Sequence, residues 1–506
     1  MKHGNKTRIC ILLVILTASL QAAFASQVSG YLDNFEKRLT KFTLDNGMEF
    51  LVLERHEAPV VSFITFANVG AVNEVKGITG MAHIFEHVAF KGSPTIGSKD
   101  YKAESKALEK IENAFEALKA ERSKGDKADK AKLDLFTKQF KDAQEKADKF
   151  IIHDDFEQTL SREGASGLNA FTSNDETAYV SSLPSNKLEL WMYMESERFY
   201  EPVLREFYKE RAVVMEERRM GENDPEERLM EDFLSVAFKA HPYGEPVIGY
   251  MSDLDAISST KAMAFYNKYY CPANLTAAIV GDVDPQQVKK LAVEYFGRIK
   301  ARPKPEPVST VEPPQKSEKR VVMREDAQPF LIIGYHTPSF NHPDSVTLET
   351  LSDILSSGRT SRLYKSMVKE KRIAVGVSAG TGLPGNKYPA LFTFMANPSK
   401  GHTNQECEDE IYAQVEKLKT EPVTAEELQK AKTLAKASLI RQLNSNMGIA
   451  MQIANYEVLT GDWRNLFNRI DAIEKVTAED IKRVSNEYLA AENRTVGCIE
   501  TKNATK

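Results

Sequence analysis

Cysteine is scarce in this chain: four residues in 506, at positions 10, 271, 407 and 498, with no CxxC or CxxxC spacing among them. A thiolate zinc cluster is therefore excluded, and so is a fold stapled by several disulfides. A basic excess is also lacking. The formal net charge is −5, so nothing in the overall balance would hold a polyanion by counterion release, and nucleic acid is not expected as a partner. Apolar runs long enough to span a membrane are absent, as is any His-rich tract of the kind that stores metal. With 42% hydrophobic and 27% charged residues, the composition is that of a globular protein, with length for about two to four domains.

At the N-terminus, Lys2, Lys6 and Arg8 precede an apolar run from Ile9 to Leu16, which weakens through Thr17, Ser19 and Gln21. Ala23-Phe24-Ala25 then supplies a small-x-small cleavage pattern before Ser26. Residues 1–25 read as a secretory signal peptide, and the mature chain is expected to be exported, periplasmic or extracellular, with no membrane span. Cys10 lies inside the run and not at its end, which argues against a lipid anchor. Removal of the signal would take the net charge to −8 and leave three cysteines, expected as buried free thiols.

Five prolines between Pro303 and Pro314 mark a semi-rigid extended linker, taken as 303–320. It separates a region 26–302 from a region 321–506. Both regions close alike: Ile257-Ser258, Tyr269, Asn274 and the strand TAAIVG are matched, at a constant offset of 219, by Val476-Thr477, Tyr488, Asn493 and TVGCIE. Near the openings, Ala58-Pro59 with VVSFITF matches Gln328-Pro329 with FLIIGYH at an offset of 270, so the first region is longer by 51 residues. The chain thus reads as two copies of one fold. The surplus falls in a Lys/Glu/Ala-rich stretch near 102–150. There Leu108, Ile111, Phe115 and Leu118 form one helical stripe, and Phe136, Phe140, Ala143, Ala147 and Phe150 another, with a break at Ser123–Asp126. A helical hairpin inserted into the first region is expected, its stripes forming the contact between its helices.

Strands are expected at 48–54, 60–66, 178–183 and 277–282, and helices at 78–90, 186–200 and 204–222, with a hairpin turn at Leu44–Gly47. The fold class is α+β: two similar domains with mainly antiparallel sheets and packed helices, facing each other across the Pro-rich linker. Trp191, Met192 and Met194 are expected in the core, and His241 as a loop hydrogen-bonder.

The chemistry is concentrated in His83-Ile84-Phe85-Glu86-His87, an H-x-x-E-H pentad in a segment of helical composition. On a helix, residues i and i+4 share a face, so the two imidazoles can reach one metal ion. Glu86 is then close enough to take a proton from a water beside that metal without being a ligand itself, which is the logic of a zinc hydrolase. A third ligand is required. Glu210 and Glu217, seven apart, share a helical face, whereas Glu216 and Arg218 fall elsewhere; taken bare, these carboxylates read equally as a solvated acidic helix.

In these features the chain resembles the pitrilysin/insulinase-type zinc peptidases and, in size and layout, their mitochondrial-processing-peptidase-like branch, over almost the whole mature length. The resemblance implies one Zn2+ per chain held by His83, His87 and Glu217, with Glu86 as the general base. The family's E-R-x-V-V-x-x-E signature lies on Glu210, Arg211, Val213, Val214 and Glu217, making Glu210 the carboxylate that orients a ligand histidine. A G-x-N-A strand lies on Gly167–Ala170 and implies that Asn169 and Ala170 bind an extended peptide by strand addition.

Two departures stand out. From His87 to Glu217 is 130 residues, about fifty more than the resemblance implies, an excess the hairpin accounts for. The positions at which self-sufficient relatives carry an Arg and a Tyr fall on Val368 and Val375, and Arg372 is at the wrong offset. A homologous partner subunit supplying an Arg/Tyr pair is therefore expected, and the activity that the resemblance implies is that of an exported zinc endopeptidase. The competing expectations are a non-catalytic scaffold or binding subunit of the same fold, and a zinc-sequestering protein, for which Glu86 would have no use.

Overall fold

The computed structural model describes residues 35–502; the expected signal peptide and Cys10 lie outside these. Two sheets organise the molecule. The first takes β1 (Leu39–Thr43), β2 (Glu49–Glu54), β3 (Val60–Ala67), β4 (Ser166–Thr172), β5 (Thr177–Pro184) and β6 (Leu275–Gly281) in the order β1-β2-β6-β3-β5-β4. The second takes β7 (Lys319–Glu325), β8 (Phe330–Thr337), β9 (Ala374–Leu383), β10 (Ala390–Pro398) and β11 (Arg494–Thr501) in the order β7-β11-β8-β10-β9. Setting β1 aside, the two orders coincide. In each sheet the first of these pairs is parallel, β2 with β6 and β7 with β11, and the others are antiparallel. The fold is α+β, built twice.

The repeat extends to single hydrogen bonds. Asn274 Nδ2 donates to the carbonyls of Tyr269 and Asn68, and Asn493 Nδ2 donates to those of Tyr488 and His336. Strand register corrects one offset. Leu275 pairs with Ala67 and its counterpart Arg494 with Tyr335, which places the strands β3 and β8 at an offset of 268, two fewer than the Ala-Pro and Gln-Pro markers suggest. Period-2 alternation is insensitive to a two-residue slip, because either alignment keeps the same face inward.

β3 and β8 are apolar on both faces because both faces are covered. One face of the first sheet, with Phe50, Val52, Phe63 and Ile279, packs on helices of its own half. The other, with Leu51, Ile64, Phe66 and Val280, packs on helix Asn446–Thr460 and on Trp463 and Phe467 of the second half. The exchange is reciprocal: helix Pro225–Ala237 of the first half sets Leu229 and Phe233 against Phe330, Ile332 and Ile499 of the second sheet. Gly334 lacks a side chain because a Cβ there would lie 2.7 Å from the Phe233 ring. The halves are thus interlocked through helices as well as joined by the extended chain over 301–316, in which Glu312 accepts hydrogen bonds from the amides of Lys239, Ala240 and His241.

The helical hairpin comprises Tyr101–Arg122 and Lys130–Asp148. Its aromatic stripe does more than join its two helices. Phe115 and Phe140, 5.6 Å apart, also clasp Tyr208, at 4.6 and 5.0 Å, and the Arg211 guanidinium lies 4.6 Å over Phe115. The hairpin is therefore packed onto helix Phe207–Glu222. Trp191, Met192 and Met194 are buried in the core, and His241 Nδ1 accepts from the Tyr243 amide. Cys271, Cys407 and Cys498 are all buried and free, and no helix among the described residues is long and apolar enough to cross a membrane.

Candidate metal centre

The pentad lies on helix Met81–Val88, which begins after Gly80 at φ 84°. A side chain at Gly80 would meet the Ile248 carbonyl at 2.4 Å, so the chain can turn into the helix here only without one. Met81, Ala82, Ile84, Phe85 and Val88 are buried against the first sheet and its helices, which turns His83 and His87 together toward helix Phe207–Glu222. On that helix Phe207, Tyr208, Arg211 and Val214 face inward, and Glu210 and Glu217 are presented to the histidines.

The structure brings the three expected ligands together. The Nε2 atoms of His83 and His87 each lie 3.6 Å from one Glu217 oxygen, and ligand atoms of all three residues fall within 4.8 Å of one another. Tetrahedral zinc with bonds of about 2.0–2.1 Å separates its ligand atoms by roughly 3.3 Å, so the residues fit that ion. Two imidazoles and one carboxylate also leave the fourth position for water, as hydrolytic zinc requires. Burial lowers the His83 pKa to about 4, with the neighbouring His87 acting in the same direction, which keeps this imidazole neutral and able to ligate. His83 Nδ1 is buried without a hydrogen-bond partner.

Glu210 stands where it can orient a ligand. Its Oε2 is 3.7 Å from His87 Nδ1, and its Oε1 takes a 2.8 Å ion pair from Lys91. Burial, the largest influence on Glu210, would raise its carboxyl, yet His87 and Lys91 outweigh it and hold the group below the usual range. The contact with Glu210 in turn raises the His87 pKa. Glu86 does not join the cluster of ligand atoms; it lines a cavity of about 230 Å³ together with His87, Phe90, Lys91, Asn169, Ala170 and Glu210. Burial raises the Glu86 carboxyl, against the opposing pull of Thr172 beside it. Asn169 is exposed and Ala170 buried on β4, an edge strand of the sheet, whose outer backbone groups have no neighbouring strand among the described residues.

Val368 is half-buried in a π-helical turn, and Val375, the second residue of β9, has 69% of its surface exposed. Spacing alone did not single out Lys91, Phe90, Asp154 and Glu157, which also line the cavity beside Glu86; Lys91 follows His87 by four residues, just beyond the end of the pentad helix, and reaches Glu210. A second group, Asp148, His153 and Glu206, also converges. There, however, His153 reaches Asp148 with Nε2 at 3.3 Å and Glu206 with Nδ1 at 3.1 Å, and Lys209 at 2.7 Å already neutralises Glu206, so this is an ion-pair network.

Residues 50–120 and 148–250 match the family described as Insulinase (Peptidase family M16), and residues 256–434 match Peptidase M16 inactive domain. The gap at 121–147 covers the turn and nearly all of the second hairpin helix. A zinc protease, PqqE, of Helicobacter pylori is 28% identical over 497 residues, covering 96% of this chain and 97% of that protein. The crystal structure of a protease from Helicobacter pylori superposes with a TM-score of 0.76 at 27% identity, covering 91% of this chain and 99% of the other. The periplasmic protease PqqL from Escherichia coli, at 16% identity, shares the fold with a TM-score of 0.67 over 92% of this chain but only 48% of its own. With both of its halves matched and its length shared with a named zinc protease, the chain belongs to the pitrilysin/insulinase-type peptidases, family M16.

Proposed function

We propose that the chain is an exported zinc-dependent endopeptidase, periplasmic or extracellular, that cleaves peptides or unfolded segments and whose site is completed by a homologous partner subunit. The observation that carries this is the convergence of His83, His87 and Glu217 beside a cavity shared by Glu86 and the edge strand β4. Zinc bound by these three residues would supply a Lewis acid that polarises the scissile carbonyl and acidifies a water. Glu86 takes the proton from the attacking water as the C–O bond forms, and returns it to the amide nitrogen as the C–N bond breaks. Its raised carboxyl suits a group that must both accept and release a proton. The open edge of β4 at Asn169–Ala170 receives the peptide backbone as an added strand and holds the bond in place.

The pairing with a partner rests on Val368 and Val375, neither of which can donate to an oxyanion, and is supported by the PqqL structure, in which a single chain is about twice as long. Metal dependence tests the core of the proposal: chelation should abolish cleavage of unstructured peptides and one equivalent of zinc should restore it, whereas cleavage that survives complete chelation would overturn it. Full turnover by the isolated mature chain, from Ser26 onward, would refute the partner.

A further inference from the structure

The helix that carries two of the three zinc ligands, His83 and His87, is only eight residues long, Met81–Val88, and its N-cap is a glycine with no side chain to offer. Helices of this length are unstable alone, so something outside must fix its ends. At the N-terminus, the buried carboxyl group of Glu74 accepts hydrogen bonds from the amides of Gly80 and Ala82, both at 2.7 Å. At the C-terminus, the buried guanidinium of Arg198 donates to the carbonyl of Ala89, the C-cap, at 2.7 Å. Arg198 is itself held by Glu195 at 3.0 Å and lies 4.3–4.7 Å over the rings of Tyr179, Phe156 and Phe90. Burial pushes the Glu74 pKa up to about 8, so near neutral pH it holds the first turn through hydrogen bonds and not through charge, whereas the Arg198 cation at the last turn has the sign that the helix dipole favours.

We propose that Glu74 and Arg198 are positioning residues of the metal centre, two buried side chains whose hydrogen bonds clamp both ends of the ligand-bearing helix and thereby fix where His83 and His87 point. Neither touches substrate or metal. Their effect passes through the helix, since the Glu74 side chain binds the amide of Ala82, the residue before His83, and Arg198 binds the carbonyl two residues after His87. The inference rests on the zinc assignment made above.

The test uses the full mature chain with Glu74→Gln, whose amide keeps the volume but can accept only one of the two N–H groups, and with Arg198→Lys. Zinc dissociation constants measured against a chromophoric chelator should weaken by about 10-fold or more in each variant, as for other residues that orient ligands. The visible spectrum of the cobalt-substituted protein should shift with them. A folded Glu74→Gln protein with wild-type zinc affinity and an unchanged cobalt spectrum overturns the proposal. If that variant does not fold, hydrogen exchange on the wild type decides: the clamp requires Gly80 and Ala82 amides as protected as the helix centre, and exchange at the rate of a frayed end overturns it. A wild-type chain that binds no zinc would refute the metal assignment, whereas equal zinc binding by wild type and variants would refute the clamp alone.

Discussion

Glu104 of the hairpin and Arg205, just before helix Phe207–Glu222, form an ion pair at 2.7 Å with both side chains almost completely buried. The same guanidinium donates to the carbonyls of Lys91, Ser93 and Ile96, in the loop that leaves the pentad helix. One arginine thus ties the inserted hairpin to both segments that carry metal ligands. A buried pair contributes little over an apolar substitute, but removing one partner strands the other. Glu104→Gln is therefore expected to lower unfolding free energy by about 3 kcal/mol in denaturant titrations. A loss below about 0.5 kcal/mol, the scale of a surface change, would show that the three carbonyls alone satisfy Arg205.

The exchanged helices predict the behaviour of a nicked chain. A protease site placed within 303–316 should be cut without separating the halves, because Asn446–Thr460 and Pro225–Ala237 each remain packed on the opposite sheet. The two fragments should co-elute in size-exclusion chromatography. Phe233→Ala should cost about 3–5 kcal/mol and loosen that association. Fragments that part without denaturant would contradict the packing.

Much of this was legible in the sequence, and what was not has a physical cause. The pentad announces itself because helical spacing alone puts His83 and His87 on one face, and the repeat because Asn274 and Asn493 perform the same backbone bonding in both halves. The exchange of helices was hidden: the pattern of Pro225–Ala237 gives an apolar stripe but not the sheet it covers. Glu74 and Arg198 were equally hidden, since they reach the helix through tertiary contacts, although a lone acid within the apolar stretch from Val69 to Val75 is the signal that could have found Glu74.

Acid should destabilise the second half through Glu427. Its side chain is gripped by Arg362 at 2.7 and 2.9 Å, which, with the Thr424 amide, lowers its pKa to about 2 against the opposing effect of burial. A carboxylate depressed in the folded state contributes stability above its ordinary pKa near 4.5 and loses it as pH falls toward 2. Both groups are partly exposed, so the contribution is on the order of 1 kcal/mol after solvent screening. Glu427→Gln should flatten the fall in stability between these pH values; an unchanged profile would contradict the assignment.

The two carboxylates of helix Phe207–Glu222 should separate by function. Glu217→Gln removes a ligand and should abolish stoichiometric zinc binding, whereas Glu210→Gln should retain the metal with affinity about 10–100-fold weaker. Equal losses in both variants, measured by chelator competition, would contradict the distinction between ligand and orienting group.

The most direct test of the central claim is peptide cleavage by the wild type beside Glu86→Gln, with zinc content measured on the same samples and the partner subunit present if one co-purifies. The account predicts one zinc in each protein and a loss of at least about 100-fold in kcat for the variant, since only the proton acceptor has been removed. A Glu86→Gln protein that holds zinc and cleaves like the wild type would contradict it.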